Sequence, residues 1–515
     1  MALAYILAVY FLVVVLAGLQ LKQKIKALKS PLRKLPGPWY APLTTLHLRY
    51  LFSTGTIWKL VERSHNKYGP IIRLGPRQVW ISDKEAMKQI LVKTDLPKVA
   101  MYAEISRDKF SPGLFGEIRQ EPHRRLKRFL FPAFTVNYID NLEMFFKSTV
   151  RDVLNKYQTQ INEDAVHYAK KGIEVDLMDD LHNVALDIMG ECSFGKGFGQ
   201  TNPNSLIEDG VDEKIWKSIP RSIFDGLSKR YQAMLTCTKT VYVKKFFRAL
   251  GIDLQFDWPA EMITAIDAVV QRRKRTPDVE RRDLLQHLIE EGKKPDTGTS
   301  MSVRDIVDQM AEILLAGSET TSGTIGCLFL ELARNPDVRA KLFASLPSKG
   351  FNDEIVTSKS VRNEEEYEYL EACIKENLRL HPIASEMGRR TGNQWINLCG
   401  YDLPPHTVVS ASYRDLHRNE AFWPQAVRFW PERWLSEDKR DGAPAPDMDA
   451  YYPFSGGKHS CIGINFAWAE MRMVAANLLQ RFDVLEVPDQ DIDFRQYITM
   501  QFATGHWNVV LKPRN

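Results

Sequence analysis

The residues with the most chemical potential lie in one string, Phe454-Ser455-Gly456-Gly457-Lys458-His459-Ser460-Cys461-Ile462-Gly463. Two glycines allow an irregular backbone there, and an amphipathic helical pattern starts just after the cysteine. A thiol at a helix N-terminus faces the positive end of the helix dipole, which lowers its pKa and favours the thiolate. Backbone N–H groups near Ile462 and Gly463 lie within reach of the sulfur as donors. A lone thiolate held in this way suits an axial metal ligand, and a nucleophilic or merely buried cysteine fits the same chemistry. The other cysteines, Cys192, Cys237, Cys327, Cys373 and Cys399, are scattered and form no CxxC pair. Most of them read as small buried hydrophobes in a reducing compartment, not as a disulfide framework.

A second constellation, Ala316-Gly317-Ser318-Glu319-Thr320-Thr321, falls in the middle of a helix expected over 302–334. Ser302 and Asp305 form an S-x-x-D start signal, and Asn335-Pro336 ends the run. Such a rod is about 50 Å long and crosses a whole domain. Glycine at its centre costs about 1 kcal/mol relative to alanine, and a buried carboxylate costs more. Local rules that fail in this way point to a functional site, although a kink in a core helix fits as well. A third pair, Glu376 and Arg379, is spaced i, i+3 and shares one face of a helix.

Around these residues the chain reads as mostly helical. Helices are expected at about 121–133, 137–159, 177–193, 258–274, 302–334 and 364–380, and after Cys461. Residues 68–82 read as two short strands joined by a Gly-Pro turn, and 385–415 as strand-like and rich in turns. No internal repeat or low-complexity linker appears between 39 and 515. The expected fold class is therefore mainly α with a small β region. Of 515 residues, 44% are hydrophobic, which is enough for a sizeable core. The net charge of +5 is too small to argue for nucleic acid as a partner.

The N-terminus carries a different signal. Residues 2–21, Ala2 to Leu21, hold no charged side chain, and as a helix they match the hydrocarbon thickness of a bilayer. Lys22, Lys24, Lys26, Lys29, Arg33 and Lys34 follow, while the first acidic residue is Glu62. This asymmetry favours a retained anchor with the following chain in the cytosol. A cleaved signal peptide fits less well, because basic side chains are missing before the apolar run and no A-x-A site follows it. Within the basic linker at 22–38, Leu35-Pro36-Gly37-Pro38 is expected to be a semi-rigid hinge leading to the body at 39–515.

The cysteine string resembles the F-x-x-G-x-R-x-C-x-G signature of the cytochrome P-450 family, through Phe454, Gly457, Cys461 and Gly463. His459 stands where that family usually has arginine. Three more motifs follow the family's order. Ala316 to Thr321 resembles its A/G-G-x-D/E-T oxygen-binding motif, and Glu376-Asn377-Leu378-Arg379 its E-x-x-R motif. Pro431-Glu432-Arg433-Trp434 resembles its P-E-R-F segment, with Trp434 for phenylalanine. The resemblance covers essentially the whole chain, anchor and proline segment included, in the style of a fungal microsomal member.

The resemblance implies the cytochrome P-450 fold behind one N-terminal transmembrane helix, and haem b (iron protoporphyrin IX) with Cys461 as its iron ligand. It implies that Thr320 and Glu319 are the catalytic pair that delivers protons to bound O2. Ala316 and Gly317 would leave room for oxygen beside the helix. Glu376, Arg379 and Arg433 would form a buried structural network. His123 and Lys127 occupy the positions of the family's W-x-x-x-R segment and, with His459 and Arg389 or Arg390, would hold the propionates. Arg124, Arg125, Arg128 and Lys458 would make a basic face for an NADPH-cytochrome P-450 reductase. The implied location is the endoplasmic reticulum membrane, single-pass, with the catalytic domain cytosolic.

By family position the substrate pocket would draw on Met101, Phe110, Phe115, Ile383, Met387, Met500 and Phe502, which suits an apolar small molecule such as a steroid, a terpenoid or a fatty acid. Hydroxylation is the expected reaction, with the steroid or terpenoid class favoured. An oxygen-independent isomerase or dehydratase is a weaker fit, because the Glu319-Thr320 pair is intact. A membrane haem protein acting as a sensor or carrier would need no reductase.

Overall fold

The computed structural model describes residues 25–105, 113–163, 172–202, 212–220, 249–251, 260–275, 283–294 and 296–514, with isolated positions between Tyr10 and Lys22. Most of the expected anchor, and Phe110 and Cys237, lie outside the described residues.

Six helices position the site: α1 (Gln120–Leu130), α2 (Glu143–Glu163), α3 (Leu177–Phe194), α4 (Val303–Arg334), α5 (Glu368–Leu380) and α6 (Ile464–Leu479). The start of α4 is the expected one. Ser302 Oγ accepts from Asp305 N–H, and the Asp305 carboxylate accepts from Ser302 N–H, which closes a capping box. Asn335 caps its C-terminus, and Pro336 opens the next helix, where its missing N–H costs nothing. The hydroxyl groups at the centre of α4 are satisfied within the helix. Ser318, Thr321, Ser322 and Thr324 each donate to the carbonyl four residues back, at 2.7–2.9 Å. That pattern lets a run of polar residues sit in the core without unpaired groups.

The glycines of α4 serve packing. A Cβ on Gly317 would meet Met189 Sδ at 2.5 Å, and one on Gly326 would meet Met178 Sδ at 2.5 Å. Both methionines belong to α3, so two bare backbone sites make room for the α3 side chains where α3 packs along α4. The expectation that Gly317 clears space for oxygen is corrected here: its open side is filled by Met189, not by the cavity.

The β structure is larger than expected. Strands β1 (Ile71–Gly75), β2 (Gln78–Ile81), β4 (Glu386–Arg390) and β7 (Val408–Ser412) form one sheet in the order β1-β2-β7-β4, with β2 and β7 parallel. β5 (Ile396–Leu398) and β6 (Tyr401–Leu403) form a hairpin. β3 (Ile173–Asp176), β8 (Phe482–Glu486) and β11 (Asn508–Pro513) form a second sheet, and β9 (Phe494–Gln496) pairs with β10 (Met500–Phe502). The strands at 173–176 and 482–513 are absent from the pattern reading.

The proline segment packs against β1. Leu32 and Leu35 are both buried, and Arg73 N–H donates to Pro36 O at 2.8 Å. A Cβ on Gly37 would collide with the Arg73 carbonyl. Among the described residues the one helix long and apolar enough to cross a membrane is α4, and it is mostly buried in the body.

Candidate functional site

The cysteine loop is a closed turn leading into α6. Cys461 N–H donates to Phe454 O at 2.9 Å, and Ser460 N–H to Gly457 O at 3.1 Å. Gly457 has φ +66°, and a Cβ there would strike the Leu91 carbonyl. Glycine is therefore required at this position by the neighbouring segment Gln89–Lys93. Gly463 caps α6, and its N–H donates to the Cys461 sulfur. The expected fall in the thiol pKa is outweighed. Burial pushes the Cys461 thiol up, and the Gly463 N–H and the Lys127 ammonium pull it only partly back.

Lys127 is engaged with the cysteine loop. Its Nζ donates to Lys458 O (3.0 Å), Ser460 O (2.6 Å) and Ser460 Oγ (3.1 Å). It ties α1 to the cysteine loop and places a cation beside the thiol.

His123 and His459 do come together. Their rings lie 4.3 Å apart at 39°, with Arg389 and Lys98 close enough to act on both. Burial, and then Lys98, pushes His123 down to about 2. Burial, and then Arg389, pushes His459 down to about 3. Burial, and then Arg389, takes Lys98 down to about 7. Asp95 is the nearby anion, 3.5 Å from His459 Nε2 and 3.2 Å from Lys458 Nζ. Arg389 is 1% exposed, and among the described residues its Nε and Nη2 have no hydrogen-bond partner, nor has His459 Nδ1. Of the two expected alternatives Arg389 is the buried one, since Arg390 is exposed. A buried group of nitrogen donors short of acceptors fits the two carboxylates of a porphyrin. The residues beside Cys461 therefore fit haem. Lys98 was not anticipated, because nothing in Leu96-Pro97-Lys98-Val99 marks it.

α4 also lines a cavity of about 440 Å³. Ala316, Glu319 and Thr320 line it; Gly317 does not. Thr320 Oγ1 donates to Ala316 O at 2.7 Å, so its hydroxyl hydrogen is committed to the helix and its lone pairs remain available. Thr499 Oγ1 donates to Glu319 Oε2 at 2.9 Å, and Gln501 Nε2 donates to Glu319 O at 2.7 Å. Burial raises the Glu319 carboxyl above its ordinary value, against the opposing pull of Thr499 and Arg495. Of the expected pocket residues, Phe115, Met387 and Phe502 line this cavity. Met101, Ile383 and Met500 do not; the last two are packed in the protein interior.

The expected network is present and fully buried. Arg379 makes a two-pronged pair with Glu376, Nε to Oε2 at 2.9 Å and Nη2 to Oε1 at 2.8 Å. Arg433 Nε lies 3.3 Å from Glu376 Oε1. Trp430 N–H (3.0 Å) and Trp434 Nε1 (2.9 Å) complete the carboxylate's shell. The substitution of tryptophan for the family's phenylalanine thus adds a donor. His417, unmarked in the sequence, links the network to the loop. Its Nδ1 donates to Arg379 O (3.1 Å), and its Nε2 accepts from Tyr452 N–H (2.8 Å). The basic face is less free than expected: Arg124 and Arg125 both pair with Glu121, and Lys458 with Asp95.

A thiol loop on a helix start, a buried cation cluster beside it and a cavity lined by an acid–alcohol pair define a haem-thiolate site on a mostly helical fold. The comparisons agree. The cytochrome P450 family model matches residues 35–509, and the chain belongs to that family. Cytochrome P450 monooxygenase acrD of Aspergillus aculeatus is 28% identical over 477 residues, which is 92% of this chain and 89% of that protein. Cytochrome P450 monooxygenase FUS8 of Gibberella fujikuroi is 28% identical over 499 residues, 95% of this chain and 90% of that protein. Cytochrome P450 3A9 of Rattus norvegicus is 27% identical, covering 87% and 85%. The solved haem domain of cytochrome P450DA has the same fold, with a TM-score of 0.72 at 21% identity over 93% of this chain and 98% of that one. The chain is an oxidoreductase, a haem-dependent monooxygenase that uses O2, a redox partner and an organic substrate.

Proposed function

We propose that Cys461 would supply the thiolate that holds the iron of haem b, and that the enzyme hydroxylates a largely apolar molecule in the cavity beside α4. The observation that carries the assignment is the group of buried, under-partnered nitrogens on Arg389 and His459 next to the Cys461 loop. Haem supplies, when bound, the reductive activation of O2 for insertion of one oxygen atom into a C–H bond. Lys98, His123, Arg389 and His459 would hold its propionates. Lys127 and the Gly463 N–H stabilise negative charge on the sulfur. The Glu376–Arg379–Arg433 network and His417 keep the loop in place.

On the cavity side, Glu319 holds a proton more readily than an ordinary carboxyl, and Thr320 offers an acceptor oxygen one residue along the helix. Together they relay protons from the Thr499 side of the cavity towards Ala316. Both groups line the cavity, which favours oxygen chemistry over an isomerase or dehydratase.

We further propose NADPH-cytochrome P-450 reductase as electron donor, reached through the surface around Arg128 and Lys458, both exposed. The N-terminal run would anchor the chain in the endoplasmic reticulum membrane with residues 39–515 as the cytosolic catalytic domain. Its described positions support this, since Tyr10, Phe11, Val14 and Val15 are all exposed hydrophobics. The test of the site is Cys461→Ser. The protein is expected to lose the family's reduced carbon-monoxide band while wild type shows it. An unchanged band would sink the assignment.

A further inference from the structure

One carboxyl group in the cavity is used neither by the cysteine side nor by the proton relay. Glu386 opens β4 and lines the cavity wall together with Tyr102, Phe115, Met387 and Phe502. Its position is set by the sheet. Trp80 on β2 sits beside Ser410 on β7, which in turn sits beside Gly388 on β4. The Trp80 ring is 2% exposed, and from there Nε1 donates to Glu386 Oε2 at 2.6 Å. An indole N–H can only donate, so it fixes that oxygen as an acceptor. No second hydrogen bond and no ion pair to Glu386 occurs among the described residues. Burial pushes the carboxyl up to about 7, the Trp80 bond pulls it back only partly, and Asp415 adds to the rise.

The other carboxyls on the wall are already engaged. Glu312 accepts from Phe115 N–H (3.0 Å) and Gly116 N–H (3.3 Å) and so pins the 113–116 segment. Glu319 is tied to Thr499. A half-buried carboxyl held by one donor, on an otherwise aromatic and aliphatic stretch of wall, is arranged like the single polar contact that orients a ligand in an apolar pocket.

Building on the monooxygenase reading above, we infer that Glu386, held by Trp80, is a substrate-orienting residue that accepts a hydrogen bond from a hydroxyl group on an otherwise apolar substrate. The substrate class is then a neutral alcohol rather than a bare hydrocarbon or a carboxylic acid. An acid would bring a fourth carboxyl to a wall that holds Glu312, Glu319 and Glu386 against Arg495. An ammonium group would carry a full charge out of water to a carboxyl that is only partly ionised near neutrality, which is costly. A hydroxyl is the cheapest donor to desolvate. A site that accepts from it disfavours the analogue without the hydrogen, because the carboxylate is then left unpaired.

The test uses the full-length holoenzyme at about pH 8, above the raised value, so that the carboxyl is ionised. The probes are 1-decanol and 1-methoxynonane, which have the same heavy-atom count but differ in the O–H. The readout is the haem spin-state shift on titration. Wild type is expected to bind the alcohol at least about tenfold more tightly than the ether. In Glu386→Gln the amide oxygen still accepts from Trp80, and the amide N–H now faces the cavity and donates to either probe. The preference is expected to fall to near unity, with the reduced carbon-monoxide band intact. Equal binding of the two probes by wild type, an undiminished preference in Glu386→Gln, or no response to either probe overturns the inference, provided the band is normal. Absence of the band from wild type would instead count against the monooxygenase reading itself.

Discussion

Trp434→Phe isolates one hydrogen bond in the buried network, because phenylalanine is the residue the family's P-E-R-F segment carries there. In this chain the Glu376 carboxylate receives Arg379 Nε and Nη2, Trp430 N–H and Trp434 Nε1. A hydrogen bond to a charged group contributes about 1.5–3 kcal/mol. The substitution leaves the other donors in place, and it keeps an aromatic ring against Tyr451, whose centroid is 4.7 Å away. Trp434 is half-buried, so water can replace part of what is lost. The net cost should therefore be about 1–2 kcal/mol. A melting temperature is a poor reporter of this. Unfolding entropy of about 2.1 cal/mol/K per residue, over the domain matched at 35–509, is about 1 kcal/mol/K, so the midpoint moves by only about 1–2 °C. Native-state hydrogen exchange is the better assay, because it reads local opening. Amides in 430–436 are expected to exchange about 5–30-fold faster in the variant, with the amides of α3 unchanged. Arg379→Leu strands the carboxylate in a site where neither partner has any exposure, and it should cost about 3–5 kcal/mol. Unchanged protection at 430–436, or a loss spread evenly over the molecule, would refute the view that Trp434 acts through Glu376.

Two further outcomes follow from the same geometry. Gly317→Ala places a methyl group 2.5 Å from Met189 Sδ, an overpacking that costs about 1–3 kcal/mol. Adding Met189→Ala should restore folded yield, and a single variant that is fully stable but fails to couple electron use to product would return Gly317 to an oxygen-side role. His417 is buried neutral, pushed down to about 3 first by burial and then by Arg379. The unfolded chain binds a proton below about 6.5 and the native fold does not. His417 therefore contributes its full stability above that pH, and the contribution is lost as pH falls from 6.5 towards 3, by a little over 1 kcal/mol per unit. In urea titrations from pH 7 to 4.5, His417→Gln should show a flatter decline than wild type, and parallel declines would refute the linkage.

The parts of this site that could be read from the sequence are those whose signal is local. The capping box of Ser302 and Asp305, the Asn335-Pro336 stop and the Gly-rich turn before Cys461 are each written in a few adjacent residues. The parts that could not be read are assembled over distance. β3 meets β11 through the pair Asp176 and Asn508, far apart in the chain, and β9 and β10 are too short to show alternation. Lys127 shows how the setting of a residue depends on parts of the chain far from it. The position marks a cation near the haem side, but the acceptors it finds are Lys458 O, Ser460 O and Ser460 Oγ, which only the turn geometry brings to it. Glu386 carries no motif at all, and its meaning comes from an indole on another strand.

The histidine pair shows how a departure from family pattern can be compensated in three dimensions. His123 and His459 replace the tryptophan and arginine that the family commonly uses, and each replacement alone looks like a loss. Tilted by 39° with centroids 4.3 Å apart, they keep nitrogen-bearing rings in contact, and Lys98 and Arg389 bring the cationic charge that neutral imidazoles lack. The arrangement has a cost in the protein by itself, since Lys98 and both histidines are pushed towards their neutral forms. Two carboxylates set among them would reverse that pressure and satisfy the open N–H groups of Arg389. Any group that binds the native fold and not the unfolded chain stabilises it by mass action. Under the proposed assignment, haem is therefore part of what makes this charge cluster tolerable, and the fold and the cofactor select one another through Lys98, Arg389 and the two adjoining histidines.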